Sequence, residues 1–293
     1  MRHEGFSRID IHVHCNLNGK ADLDQLAATC RANKTIICMI GGLRYGGHDY
    51  LPNEEVLAIC KAYPDCFLPF AKLDLWETAD PDEVYRYAEQ GFRGLKGIYP
   101  YYEYDHDLYM PVYKAAEECG LPIVFHTGNF AVSSSDIEYQ RPMLRNMHPI
   151  TLDRIARSFQ KLNIVMAHMG TRIFQDEASQ YLKIHKNLYA DLSGCGQWRR
   201  IQPQELVDMF CGDLFILPQD YNGFRNLVFG SDAYVDYDFV VPAALQSYYQ
   251  MFDRIGLPQD VIQDIMGGTV ASWLGIELDQ AEHRPFSNSP LSR

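Results

Sequence analysis

The stretch RIDIHVHCN (8–16) places an aspartate and two histidines at every second position of an apolar run. On an extended strand alternate side chains share a face, so Asp10, His12 and His14 point one way and Ile9, Ile11 and Val13 the other. Two imidazoles on one face either hold a metal ion or sit at a wetted edge, and the motif alone does not choose between them. Three more polar residues are set in apolar runs: His126 in PIVFHT (122–127), His168 in NIVMAH (163–168) and Asp232 in LVFGSD (227–232). A buried imidazole or carboxylate is costly without a partner. A divalent metal partners all of them at once, since catalytic zinc sites draw about three protein ligands from His and carboxylate groups and leave a position for water.

Whether these residues can meet depends on the elements that carry them. Eight short apolar runs read as strands: 8–13, 35–40, 66–75, 92–98, 122–127, 163–168, 188–193 and 227–232. Amphipathic stretches with helix punctuation lie between them. Asp80-Pro81-Asp82-Glu83 is an N-cap, a first-turn proline and an acidic third position, opening a helix that runs through Gln90 and stops at Gly91. MPVYKAAEECG (110–120) ends on Gly120, and ITLDRIARSFQKL (150–162) repeats the pattern. The spacing of the strands suits right-handed parallel crossovers, and eight such units close into a (β/α)8 TIM barrel. An open doubly wound sheet is the alternative, disfavoured because no G-x-G-x-x-G follows the first strand. In a barrel, side chains that do chemistry come from the C-terminal ends of strands, where all five residues fall. The expected organisation is one α/β barrel domain over 1–278 and a polar tail over 279–293.

Composition excludes several functions. A formal net charge of -12, with no basic run interleaved with aromatics, argues against nucleic acid or an anionic membrane surface as partner. The longest apolar run, TIICMIGGL (35–43), is too short to span a bilayer, and no signal-peptide pattern precedes the first strand. Eight cysteines without a C-x-x-C pair are expected to be reduced and mostly buried, as in a cytoplasmic protein. The expected partner is a small-molecule substrate, and a homodimer is left open.

The motifs IDIHVH, GFRGLKGIYP, LPIVFHTG, NIVMAHMG, NLYADLSG and LVFGSDA, in this order, resemble the amidohydrolase superfamily, in particular its amidohydrolase-related (amidohydrolase 2) branch with the aminocarboxymuconate-semialdehyde decarboxylase-like enzymes. LPQDVIQDIMGGTVASWLGI (257–276) is similar to that branch's closing helices. The resemblance implies that His12, His14, His126 and Asp232 hold one divalent metal, zinc first and manganese second. It also implies that His168 acts beside the metal as an acid/base or electrostatic group. Lys96 lies on the fourth strand, where dinuclear relatives carry a carboxylated lysine bridging two metals; a lysine packed or paired inside the barrel is the preferred reading. Tyr99 stands where related chains often carry a histidine, and Thr269 where an asparagine is common.

Two reactions suit such a centre. In a hydrolase of small amides, lactones or esters, Asp232 takes the proton of the attacking water and His168 stabilises charge on the carbonyl oxygen. In a nonoxidative decarboxylase of a carboxylated aromatic or conjugated acid, the pair His168 and Asp232 manages protonation of carbon, and a cation near the carboxylate is required. Arg172 and Arg44 are the first candidates, with Arg199 or Arg200 behind them. Tyr99 and Tyr102, in the tyrosine-rich loop 99–107, are candidate walls of the substrate site. A barrel that binds a metabolite without catalysis is the third reading.

Overall fold

The alternation of residues 9–13 becomes β1 (Arg8–His14), buried at every position after Arg8. The computed structural model describes residues 3–16, 21–42, 50–76, 79–130, 143–194, 196–211 and 221–280. Within them follow β2 (Thr35–Ile40), β3 (Phe67–Lys72), β4 (Gly94–Gly97), β5 (Ile123–His126), β6 (Ile164–Ala167), β7 (Leu188–Ala190) and β8 (Ala233–Tyr234). Neighbours pair in parallel in the order β7-β6-β5-β4-β3-β2-β1-β8. The outer edges meet through a parallel bridge between Ala190 and Leu227, supported by the Val228 N–H donating to the Ala190 carbonyl at 2.9 Å. The sheet thus curls into the expected (β/α)8 barrel, with the helices outside.

Local signals placed several helices to the residue. α1 (Leu23–Ala32) and α2 (Asn53–Ala62) precede α3 (Pro81–Gln90), where the Asp80 carboxylate accepts from the Asp82 N–H at 2.9 Å and Gly91 adopts φ 100°. α4 (Met110–Cys119) stops at Gly120, φ 66°. α5 (Thr151–Ser158) ends sooner than the apolar periodicity to residue 162 implies. The reason lies in Asn187, whose Nδ2 donates to the carbonyls of Ala156, Phe159 and Leu162 at 3.2, 2.8 and 3.1 Å and so replaces the missing helical turn. α6 (Thr171–Ile184), α7 (Pro203–Cys211) and α8 (Val240–Ile255) complete the layer, followed by α9 (Gln259–Gln263) and α10 (Thr269–Leu274).

The largest departure from the expected strands is the eighth, whose ladder with β1 spans only Ala233 and Tyr234 instead of 227–232. The chain before it runs extended but shares its bonds among three neighbours. Val228 donates to Ala190, Phe229 donates to Ile265 and accepts from Ile11, and Asp232 donates to the His12 carbonyl. Asp232 itself has φ 58°, so the backbone turns there and its side chain faces the barrel mouth just ahead of the ladder.

Beneath that turn Asp10 fastens the first strand to the last. Its Oδ1 accepts from the His12 N–H at 3.1 Å and the Ser231 N–H at 3.0 Å. The described cysteines are free thiols, all buried but Cys119. The start of the expected tail is tied down, with Gly5 N–H donating to Asp279 Oδ2 and Asp279 N–H to the Phe6 carbonyl, each at 2.8 Å. Residues 281–293, the rest of that tail, lie outside the described residues. No helix among the described residues is long and apolar enough to cross a membrane.

Candidate metal centre

The five residues singled out in the sequence come together inside the barrel mouth. His12 Nε2 and His14 Nε2 are 3.1 Å apart, and Asp232 Oδ1 stands 3.5 Å from the first and 3.2 Å from the second. The His168 ring lies 5.2 Å from that of His12 and 4.8 Å from that of His126, centroid to centroid. Lys96 is fully buried, and its Nζ donates to His12 Nε2 at 2.8 Å. The lysine is therefore paired inside the barrel, at the heart of the cluster.

A chain of hydrogen bonds fixes the imidazole tautomers. Ser193 Oγ donates to Asp191 Oδ1, which also accepts from the His168 N–H at 2.8 Å and the Ser193 N–H at 2.9 Å. With its proton committed, Ser193 Oγ accepts from His168 Nδ1 at 2.9 Å. His168 Nε2 is then an acceptor, taking the proton of His126 Nδ1 at 3.1 Å. His126 Nε2 is left with a bare lone pair, buried and without a hydrogen bond. His12 is fixed in the same way: Nδ1 donates to Asp191 Oδ2 at 3.0 Å, so Nε2 turns its lone pair inward, where it accepts from Lys96 Nζ at 2.8 Å.

An orphaned imidazole nitrogen in a dry site is costly. Here it shares the mouth with two more imidazoles and a carboxylate, the donor set of a divalent cation of the zinc or manganese type. The residues present fit such an ion.

Protonation states agree with this geometry. Burial lowers the pKa of His12 and His14, and burial with the neighbouring His168 lowers that of His126 further. His168 itself is pushed down to about 4, chiefly by burial. Burial works to raise Asp232 and Asp191, but the surrounding histidines hold both carboxyls well below their ordinary range. Burial brings the Lys96 ammonium down to about 8 against the pull of Asp232 and Asp191.

The depressed histidines set a pH dependence. His168 titrates near 4 when folded and near 6.5 when unfolded, so between those values the unfolded chain binds protons that the folded chain does not. The contribution of His168 to the stability of the metal-free protein therefore rises with pH from about 4 to 6.5, by on the order of 3 kcal/mol, and is opposed over the same range by Asp10, whose carboxyl is pushed up to about 7 by burial. Comparing thermal unfolding of chelator-treated wild type and His168→Gln at pH 5 and 7.5 isolates it; an equal shift of both midpoints would contradict a neutral buried His168.

Other expected site residues are placed less favourably or fall elsewhere. Tyr99, with φ 53°, has its ring 6.3 Å from His126 and 5.7 Å from Phe130, beside the centre. Tyr102 instead stacks on His106 at 4.2 Å and meets the edge of Tyr101. Tyr104, from the same loop, is scaffold: fully buried, it donates to the His126 carbonyl at 2.8 Å and holds the end of β5. Arg172 must be corrected as a substrate cation, because its exposed guanidinium forms a two-pronged pair with Glu205 at 2.7 and 3.0 Å between α6 and α7. Arg199 and Arg200 are exposed, while Arg44 lies outside the described residues. Cys15 is buried with its thiol pushed up to about 12 by burial, a filler.

Four contributors were not anticipated. Asp191 and Ser193 orient His12 and His168 from the end of β7, and the strand-end rule applied to LYADLS could have found the aspartate. Tyr50 and Tyr234 flank His14, their rings 5.3 and 5.4 Å from its own and stacked on each other at 6.2 Å. Asp191→Asn should weaken metal binding about 10- to 100-fold, the usual cost of losing a ligand's orienting partner. Competition with a fluorescent chelator reads this out, and an unchanged affinity would remove Asp191 from the supporting role.

Comparison with known proteins places the fold and the family. No curated protein matches the sequence. Solved structures that resemble the chain share its fold at low identity. An uncharacterized TIM-barrel protein from Bordetella bronchiseptica has TM-score 0.64 and 18% identity over 94% of this chain and 99% of that one. A probable 2-pyrone-4,6-dicarboxylic acid hydrolase from Acinetobacter baumannii, with citric acid bound, has TM-score 0.60 and 12% identity over 92% and 100%. A dihydroxybenzoic acid decarboxylase from Polaromonas, with bound manganese and an inhibitor, has TM-score 0.59 and 13% identity over 92% and 97%. The amidohydrolase family model matches residues 47–276, from before α2 to beyond α10. With most of the barrel inside that match, the chain belongs to the amidohydrolase family of enzymes.

Proposed function

We propose that this enzyme is a hydrolase of a small amide, lactone or ester, working with one divalent metal held by His12, His14, His126 and Asp232. The observation that carries the reading is the trio His12, His14 and Asp232, whose ligand atoms lie within 4.8 Å of one another, with His126 Nε2 on β5 buried and without a hydrogen bond. Zinc is the first expectation and manganese the second, the latter supported by the manganese of the Polaromonas decarboxylase. One ion is proposed, with Lys96 Nζ held against His12 Nε2 at 2.8 Å.

When bound, such a metal lowers the pKa of water toward neutrality and polarises a carbonyl oxygen. Asp232, held as a carboxylate, receives the proton of the attacking water. His168 has both ring nitrogens engaged, so its work here is to keep His126 in the tautomer that presents Nε2. Lys96 keeps the centre from carrying uncompensated negative charge before the metal arrives. Tyr50, Tyr234 and Tyr99 wall the mouth with flat apolar surface and hydroxyl groups.

Decarboxylation of a carboxylated aromatic or conjugated acid at the same centre is the second reading, favoured by that aromatic wall and by the Polaromonas relative. Metal-loaded protein offered small esters, lactones, amides and carboxylated aromatics separates the two. Cleavage without gas evolution supports the hydrolase, and carbon dioxide release transfers the site to the decarboxylase. No turnover by protein that holds its metal would leave a binding barrel.

A further inference from the structure

Beyond the metal donors, the seam between β1 and β8 carries one more polar pair. The ladder ends with His14 level with Tyr234, and the Val235 N–H donates to the His14 carbonyl at 3.0 Å. Two residues further along each segment stand Asn16 and Asp236, and Asn16 Nδ2 donates to Asp236 Oδ2 at 2.8 Å. His12 and His14 reach inward from β1, and Asn16 continues their alternation past the strand end, so the pair sits at the mouth one step above His14. The same two segments bring aromatic surface with them. Asn16 forms an antiparallel bridge with Tyr50, Asp236 follows Tyr234 by two residues, and the two rings stack on each other beside His14.

The pair is only half satisfied. A carboxylate oxygen accepts and cannot donate, so the atom facing Asp236 Oδ2 must be the amide nitrogen, and Asn16 Oδ1 is left out of that bond. Asn16 Oδ1 and Asp236 Oδ1 are both buried and without a hydrogen bond, and Asn16 as a whole is 3% exposed. Two acceptors cannot satisfy each other, and each has given up its water. Two oxygens also fall short of the roughly six or more that a calcium-type cation takes. What they lack is a group rich in N–H bonds. One of the two belongs to a carboxylate, so positive charge on that group strengthens the contact, and an anionic group is repelled.

We infer that Asn16 and Asp236 receive a basic nitrogen group of the substrate, an amine, amidine or guanidine, at the β1–β8 seam of the mouth. Its N–H bonds meet the two bare oxygens, and the carbon skeleton that carries it lies along Tyr50 and Tyr234. For the hydrolase, the substrate is then a small amide, ester or lactone with a cationic nitrogen away from the scissile bond. The acceptor pair stands on its own geometry. Its use in the reaction rests on the functional reading above.

Benzamidine, a flat cation with paired N–H groups on one edge, and benzamide, its uncharged analogue, are suitable probes, titrated calorimetrically into the protein as purified and after chelation. Benzamidine should bind in both states, and benzamide about tenfold or more weakly. Asp236→Asn still offers Asn16 Nδ2 an acceptor but turns the second oxygen into a donor. It should weaken benzamidine about tenfold or more, to the level of benzamide, and leave the melting temperature level or raised. No saturable benzamidine binding by the wild type, or equal affinity in Asp236→Asn and wild type, would overturn the assignment. So would a melting temperature lowered by several degrees, the sign of a carboxylate already satisfied within the chain. Metal content of the same samples separates the two ideas. Asp236-dependent benzamidine binding by protein that takes up no metal would defeat the hydrolase reading alone, and bound metal with binding indifferent to Asp236 would defeat the acceptor pair alone.

Discussion

The double variant His12→Ala/His14→Ala should purify without metal, where the wild type should carry about one ion per chain. Both imidazoles present Nε2 to the centre with Asp232 within 3.5 Å, so their removal leaves His126 and Asp232 as the only donors of the set. Two ligands do not hold a catalytic ion against buffer, and turnover should fall to background with it. The variant also strips Asp191 of its His12 partner, a buried pairing whose loss costs about 3–5 kcal/mol, so folding must be checked by circular dichroism. His126→Ala is the cleaner companion, because its Nε2 serves no other protein group. Metal analysis of the three proteins decides the matter. Two ions per chain would promote Lys96 to a bridging role, and an ion retained by both variants would place the metal elsewhere.

The second large effect is expected at Asp232. Asp232→Asn keeps the size of the side chain and one oxygen toward the histidines but removes the basic group, so kcat should fall by about 10²–10⁴ with a much smaller change in KM. Surrounding histidines hold the native carboxyl far below its ordinary range, which keeps it deprotonated at any pH where the fold survives. No loss of activity on the acidic side should therefore trace to Asp232 itself. Steady-state kinetics on protein matched for metal content measures this, and a kcat within tenfold of wild type would hand the proton to another group.

The sequence carried the barrel and five residues of the centre because both obey short-range rules. Asp80 and Gly91 bracket α3 through bonds made within a few residues, and each β-branched run but the eighth states its own strand. His12, His14, His126, His168 and Asp232 are legible because strands are parallel and their C-terminal ends share one face. Arg172 misled for a physical reason. β6 stops at Ala167, and His168, Met169, Gly170 and Thr171 all take positive φ, a turn that delivers Arg172 to the outer helix layer. Propensity carries no sign of such a left-handed run. Asp191 escaped because a carboxylate after a strand is usually a loop residue, and its meaning comes from His12, 179 positions away.

The fastening of Asp10 to Ser231 has a consequence in time. β1 supplies His12 and His14, and it must wait for Asp232 and the short ladder at Ala233 and Tyr234 before the mouth can close. Until synthesis has passed Ser231, 221 positions after Asp10, the ring is open at that seam, and the two histidines of β1 are without Asp232. Completing the cation's cradle and completing the ring are then one event in biosynthesis. A nascent chain stalled before that point would be unable to retain the ion, which makes metal capture a timestamp for the end of folding.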